Sequence, residues 1–128
     1  MRTLSIVVCG AFAALQAIAA EPARVMLEEM TWVEVQQAAK APSSAVIIPV
    51  GGTEQNGPHM ALGKHNARAL VLAGKIAARL GDTLVAPVIA YVPEGSITPP
   101  EGHMRFPGTL SVSREAFGGI VEIGRAHV

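Results

Sequence analysis

Ile48-Pro49-Val50-Gly51-Gly52-Thr53-Glu54-Gln55-Asn56-Gly57-Pro58-His59-Met60-Ala61-Leu62-Gly63-Lys64-His65-Asn66 joins an apolar run to a helix pattern. The run, residues 45–50, holds branched Val46, Ile47 and Ile48 and stops at Gly51-Gly52. Such a run suits a strand buried on both faces of a parallel sheet. The polar loop that follows carries Glu54, Asn56, His59 and His65, and Asn66 is a good cap for a new helix. In open α/β sheets the ligand crevice lies at the carboxyl ends of strands. A carboxylate and two imidazoles in one short loop there are the ingredients of a metal site. The competing reading is a structural loop whose histidines hydrogen-bond backbone carbonyls.

Working outward, residues 31–40 read as a short helix, with Thr31 and Glu34 forming a capping box. Leu70, Ala73, Ala77 and Leu80 recur at helical spacing, and Gly81 is a stop signal. Residues 83–92 read as a second apolar strand, with Pro87 marking an edge, a bulge or the strand end. Residues 93–108 form a loop rich in proline and glycine, long enough to be a lid or binding loop. Leu110 to Val112 fit a short strand, and Ser113 caps a last helix. Strand, helix, strand in this order implies a parallel unit. Trp32, Tyr91 and the methionines read as packing residues.

The chain has 128 residues, which allows one domain at most. Residues 1–19 combine Arg2, an apolar centre and a small-x-small site, Ala17-Ile18-Ala19, and read as a cleavable secretory signal peptide. The alternatives are an uncleaved anchor or a buried helix. The one cysteine, Cys9, lies inside that segment, so the mature chain has no thiol chemistry. The implied location is secreted or periplasmic, with no stable membrane anchor. Residues 123–128 match one frame of a common sequencing adapter and read as a non-native tail, the alternative being a genuine short tail. Ten basic residues balance ten acidic ones; without Arg2 and Arg125 the count is eight against ten. No basic patch points to nucleic acid.

The quoted stretch resembles the opening motif of the creatininase (creatinine amidohydrolase) family, Leu-Pro-Val-Gly-Ser-x-Glu-Gln-His-Gly-Pro-His-Leu-Pro-Leu-Gly-Thr-Asp. A second match is His103-Met104-Arg105-Phe106-Pro107-Gly108-Thr109, similar to a family loop with His and then Phe-Pro-Gly-Thr before a helix. The resemblance covers residues 27–122 as the amino-terminal part of such a domain. It implies a three-layer α/β/α fold with a mostly parallel sheet, here truncated, and homo-oligomers when full length. It implies metal-dependent hydrolysis of a carbon–nitrogen bond in a small-molecule amide, with two divalent ions, zinc or manganese. The family's first metal ligand is matched by Glu54, its second is replaced by Asn56, and its closing Asp is replaced by His65. Asn56 offers only a weak carbonyl oxygen and His65 brings no charge, so one zinc ion on Glu54, His65 and a later residue is expected. His59 is either a substitute ligand or a brace for the loop. His103 lines the pocket, an oligomer contact or a plain surface loop. The catalytic base is expected beyond residue 122. The rival readings are a non-catalytic relative that keeps the fold for binding or assembly, and an inactive fragment.

Overall fold

The structure, a computed structural model, describes residues 24–124. The signal-peptide reading of residues 1–19 lies outside them, as does most of the tail. The fold is α/β. In chain order it has α1 (Trp32–Ala38), β1 (Ala45–Ile47), α2 (Lys64–Leu80), β2 (Thr83–Val85) and α3 (Arg114–Gly124). Single 3-10 turns at Leu27–Glu29 and Gly102–Arg105 complete it. No helix among the described residues is long and apolar enough to cross a membrane.

Strands β1 and β2 pair in parallel, Ala45 with Thr83, Val46 with Leu84 and Ile47 with Val85. Pairing resumes at Val50 with Ile89. The offset between partners grows from 38 (83 − 45) to 39 (89 − 50) across Pro87, so one extra residue bulges out where the chain has no N–H to donate. On its other side β2 meets the 25–26 segment, where the Val85 N–H donates to the Val25 carbonyl at 2.7 Å. All of β2 is therefore buried, whereas β1 is an edge, with Ala45 exposed and Val46 and Ile47 half-buried. The expectation of a β1 buried on both faces is thus corrected: among the described residues β2 is the fully buried strand, lying between β1 and the 25–26 segment with α2 packed on it.

Side chains on a strand alternate between faces. On one face Val85, with Ile47 beside it, packs against Ala73 and Ala77 of α2. On the other, Val46, Ile48, Ala86 and Val88 share an open apolar groove with Ile120 of α3, and Val35 and Ala39 of α1 lie beside Leu84. Helices thus flank both faces of the sheet.

Local signals explain the element ends. Thr31 and Glu34 form the reciprocal capping box of α1. Gly81 ends α2 in the left-handed region at φ 84°, its N–H bonded to the Ala77 carbonyl. Helix α3 opens on Ser113, whose hydroxyl accepts from the Ala116 N–H at 3.1 Å. Other expectations shift. Helix α2 begins at Lys64 after Gly63, with no side-chain cap, so Asn66 is free for another task. Leu110–Val112 is not a strand, although its backbone bonds the Thr53 and Val92 carbonyls. Trp32 is 75% exposed and Tyr91 55%, so neither packs in this core.

Candidate metal and catalytic site

The Gly51–Asn66 loop hangs from the carboxyl end of β1 and is clamped by the first turn of α2. The Gly52 N–H donates to Asn66 Oδ1 at 2.8 Å, and Asn66 Nδ2 donates to Thr53 Oγ1 at 3.2 Å. A side chain able both to accept and donate is needed there, which Asn supplies. The second motif closes over the first. The Leu110 N–H donates to the Thr53 carbonyl at 2.9 Å, and the Gln55 N–H to buried Thr109 Oγ1 at 3.3 Å. Gly108 makes the approach possible: it sits at φ 87°, and a Cβ there would collide with Leu62.

These ties sink Glu54 to 8% exposure. Its Oε1 lies 2.9 Å from His65 Nε2 and accepts from Asn56 Nδ2 at 2.8 Å. Its Oε2 lies 2.9 Å from His103 Nδ1. Two neighbours of His103 Nδ1, Glu54 Oε2 and the Gln55 carbonyl at 3.0 Å, are both acceptors, so that nitrogen carries a hydrogen. The same logic orients Asn56. Its nitrogen faces two acceptors, Glu54 and the Gln55 carbonyl, so it braces the carboxylate instead of presenting its carbonyl oxygen there. His59 stays outside the cluster, exposed and folded over Gly57.

Two members of the cluster escape the sequence reading. Glu94, two residues after buried Val92 on the β2 side, lies close enough to Glu54 for each carboxyl to shift the other's pKa. Gly52, at φ 147°, leaves it room, since a Cβ there would lie 2.6 Å from Glu94 Oε1. Lys64 points its Nζ at Glu54 Oε1 from 3.8 Å, an ion-pair distance too long for a hydrogen bond. Both were signalled. Glu94 lies just beyond the second apolar run, the same strand-end position as Glu54. Lys64 opens a helix, where the dipole disfavours a cation.

Burial pushes the Glu54 carboxyl upward, but hydrogen bonds from Glu94 and Asn56 and the charges of His103 and Lys64 outweigh it, and its pKa is lowered. Burial raises the Glu94 pKa, as do the hydrogen bond to Glu54 and the Glu54 charge. The two shifts run in opposite directions, so Glu54 ionises before Glu94. The sign for stability follows. Glu54 contributes above the ordinary carboxylate pKa of 4.5 and loses that as pH falls through its lowered folded value. Glu94 contributes below 4.5 and loses that as pH rises through its raised folded value. Chelator-treated protein should therefore lose stability on the alkaline side of Glu94, and Glu94→Gln should flatten that limb while keeping the acid limb. Thermal unfolding from pH 4 to 8 is the measurement; parallel curves for both proteins would contradict the raised Glu94 pKa.

Among the described residues no three His, Cys, Asp or Glu side chains are set around one point as metal ligands. The donor chemistry nevertheless fits an ion. A buried carboxylate with an imidazole nitrogen on each oxygen, and a second carboxyl beside it, is an oxygen and nitrogen set suited to zinc or manganese.

A family model described as creatinine amidohydrolase matches residues 28–124. The chain is 37% identical over 94 residues to a mycofactocin precursor peptide peptidase of Mycobacterium tuberculosis, covering 66% of this chain and 35% of that protein. It is 31% identical to a 3-dehydro-scyllo-inosose hydrolase of Thermotoga maritima, over 75% of this chain and 29% of the other. It is 30% identical to a creatinine amidohydrolase of Pseudomonas putida, over 77% and 37%. The chain spans about a third of the length of these relatives. Solved creatininases share its fold. One with a substituted tryptophan superposes at a TM-score of 0.70 with 29% identity, over 78% of this chain and 38% of that one. A manganese form superposes at 0.66 and a variant of Zn–Zn type at 0.65, each 30% identical over the same shares.

Proposed function

The chain belongs to the creatinine amidohydrolase (creatininase) family, and from that premise we propose that it forms the amino-terminal, metal-binding part of a hydrolase that cleaves an amide carbon–nitrogen bond. The observation that carries the proposal is the buried Glu54 carboxylate with His65, His103 and Asn56 each within 2.9 Å. The names of the peptidase and creatinine amidohydrolase relatives support amide hydrolysis, and the manganese and zinc creatininases support a divalent ion.

Glu54 and His65 would hold the ion, with His103 and Glu94 at its side. When bound, such an ion polarises a carbonyl oxygen and acidifies water. Around it, this chain's residues hold the geometry. Asn56 and Lys64 keep Glu54 ionised and fixed in orientation. Glu94, its pKa raised by burial and by Glu54, would hold a proton for a leaving nitrogen. The loop from Gly95 to Phe106 borders the crevice through His103. The test is zinc- or manganese-loaded protein offered a panel of cyclic amides and short peptides, with product amine measured. Release that needs the ion and is lost in Glu54→Gln is the expected result; none across the panel in metal-loaded protein would reject the reading.

A second reading, a creatininase-fold protein that binds without catalysis, is favoured by Asn56, His65 and Lys64 standing where the family motif has His, Asp and Thr. Ion-dependent binding of the same amides without turnover would select it. Homo-oligomer formation is part of the main proposal and rests on the resemblance; sedimentation of purified protein tests it.

Export is proposed from the leader pattern alone. Protein recovered from the cell envelope should begin after Ala19, as N-terminal sequencing reads directly. A start at Met1 in the cytoplasm would refute it.

A further inference from the structure

We propose that the Lys64 ammonium is a resident cation of the Glu54 cluster, standing in for one divalent ion and restricting the site to a single one. The inference rests on the metal-dependent reading above. Lys64 is the first residue of α2, and its side chain is only 15% exposed. Its Nζ is shut off from water and has no hydrogen-bond partner among the described residues. The carboxylate it faces, Glu54 Oε1, is 3.8 Å away and already holds His65 and Asn56. An ammonium removed from water and placed at a helix N-terminus persists only if opposite charge nearby offsets the cost.

That charge is limited. Glu54 and Glu94 supply at most two negative charges, and Asn56 and His65 supply none. One divalent ion with the Lys64 ammonium already brings three positive charges, leaving an excess of one. A second divalent ion would leave an excess of three in a largely buried cluster, and nothing described here offsets it. Lys64 therefore adds to the charge excess that keeps a second ion out and weakens the hold on the one that binds.

The test uses the full chain, stripped with chelator and titrated with zinc chloride by calorimetry, with elemental analysis after dialysis. The unmodified chain should bind one ion. Lys64→Met should bind it at least about tenfold tighter, since roughly 1.4 kcal/mol of relieved repulsion is a factor of ten. Lys64→Arg, which keeps the charge, should match the unmodified chain. Two ions in the unmodified chain would overturn the inference, and this count stands even if the methionine variant does not fold. One ion held with equal affinity by all three proteins would overturn the role of Lys64 and leave the metal reading standing. No ion in any of them would sink both.

Discussion

Replacing Glu54 with alanine should abolish divalent-ion binding and lower the unfolding free energy by about 3 kcal/mol, the low end for breaking a buried charge pair. The carboxylate is 11% exposed on its side chain and is the shared partner of His65, His103, Asn56, Lys64 and Glu94. Its loss leaves the enclosed Lys64 ammonium facing no carboxylate within 4 Å that the structure shows. Most of the cost is therefore that stranded charge, not the lost contacts. The double variant Glu54→Ala with Lys64→Met should recover much of the stability, though not the ion. Denaturant unfolding of the four proteins in this cycle, done in chelator, isolates the coupling. If the loss on Glu54→Ala is as large with methionine at 64 as with lysine, the pair is not what holds this corner together.

The second large effect is expected from restoring the family residues. Asn56→His with His65→Asp should raise zinc binding from one ion to two and tighten the first by about 100-fold. Unit opposite charges about 4 Å apart near a protein surface attract by roughly 4 kcal/mol, and part of that is spent on desolvation. Aspartate at 65 supplies the anionic charge that the two-carboxylate cluster lacks. Histidine at 56 replaces an amide that donates to Glu54 with a nitrogen that can bind an ion. Elemental analysis and calorimetry again give the count and the affinity. Two ions in the unmodified protein, or one in the double variant, would show that charge at these positions does not govern loading.

Much of the fold was legible because its signals are local. The capping box at Thr31 and Glu34, the stop at Gly81 and the cap at Ser113 each act within one helical turn, and each is seen. The break at Pro87 was legible because a residue without an N–H cannot continue a ladder. Asn66 departs from its local signal. Its chemistry suits a cap, and only the path of the loop gives it better partners in Gly52 and Thr53. Residue type suggests packing for Trp32 and Tyr91, yet both lie exposed on the described surface. Burial depends on which elements cover a position.

By itself the sequence determined the strand–loop–helix unit, the parallel pairing, the strand-end position of Glu54, His65 as a candidate ligand and His103 as a candidate pocket residue. These follow from periodicity, backbone chemistry and two motifs whose order along the chain is meaningful. Only the tertiary structure decided that Glu94 lies beside Glu54, that Lys64 is enclosed there, that Asn56 turns its nitrogen inward and that His59 stays out. Residues 54, 94 and 103 lie far apart in the chain and meet because β1 and β2 run side by side and Thr109 closes the second motif over the first. No spacing rule encodes such a meeting. Proximity across a sheet is set by register and loop closure, and the charge states of the cluster depend on that proximity.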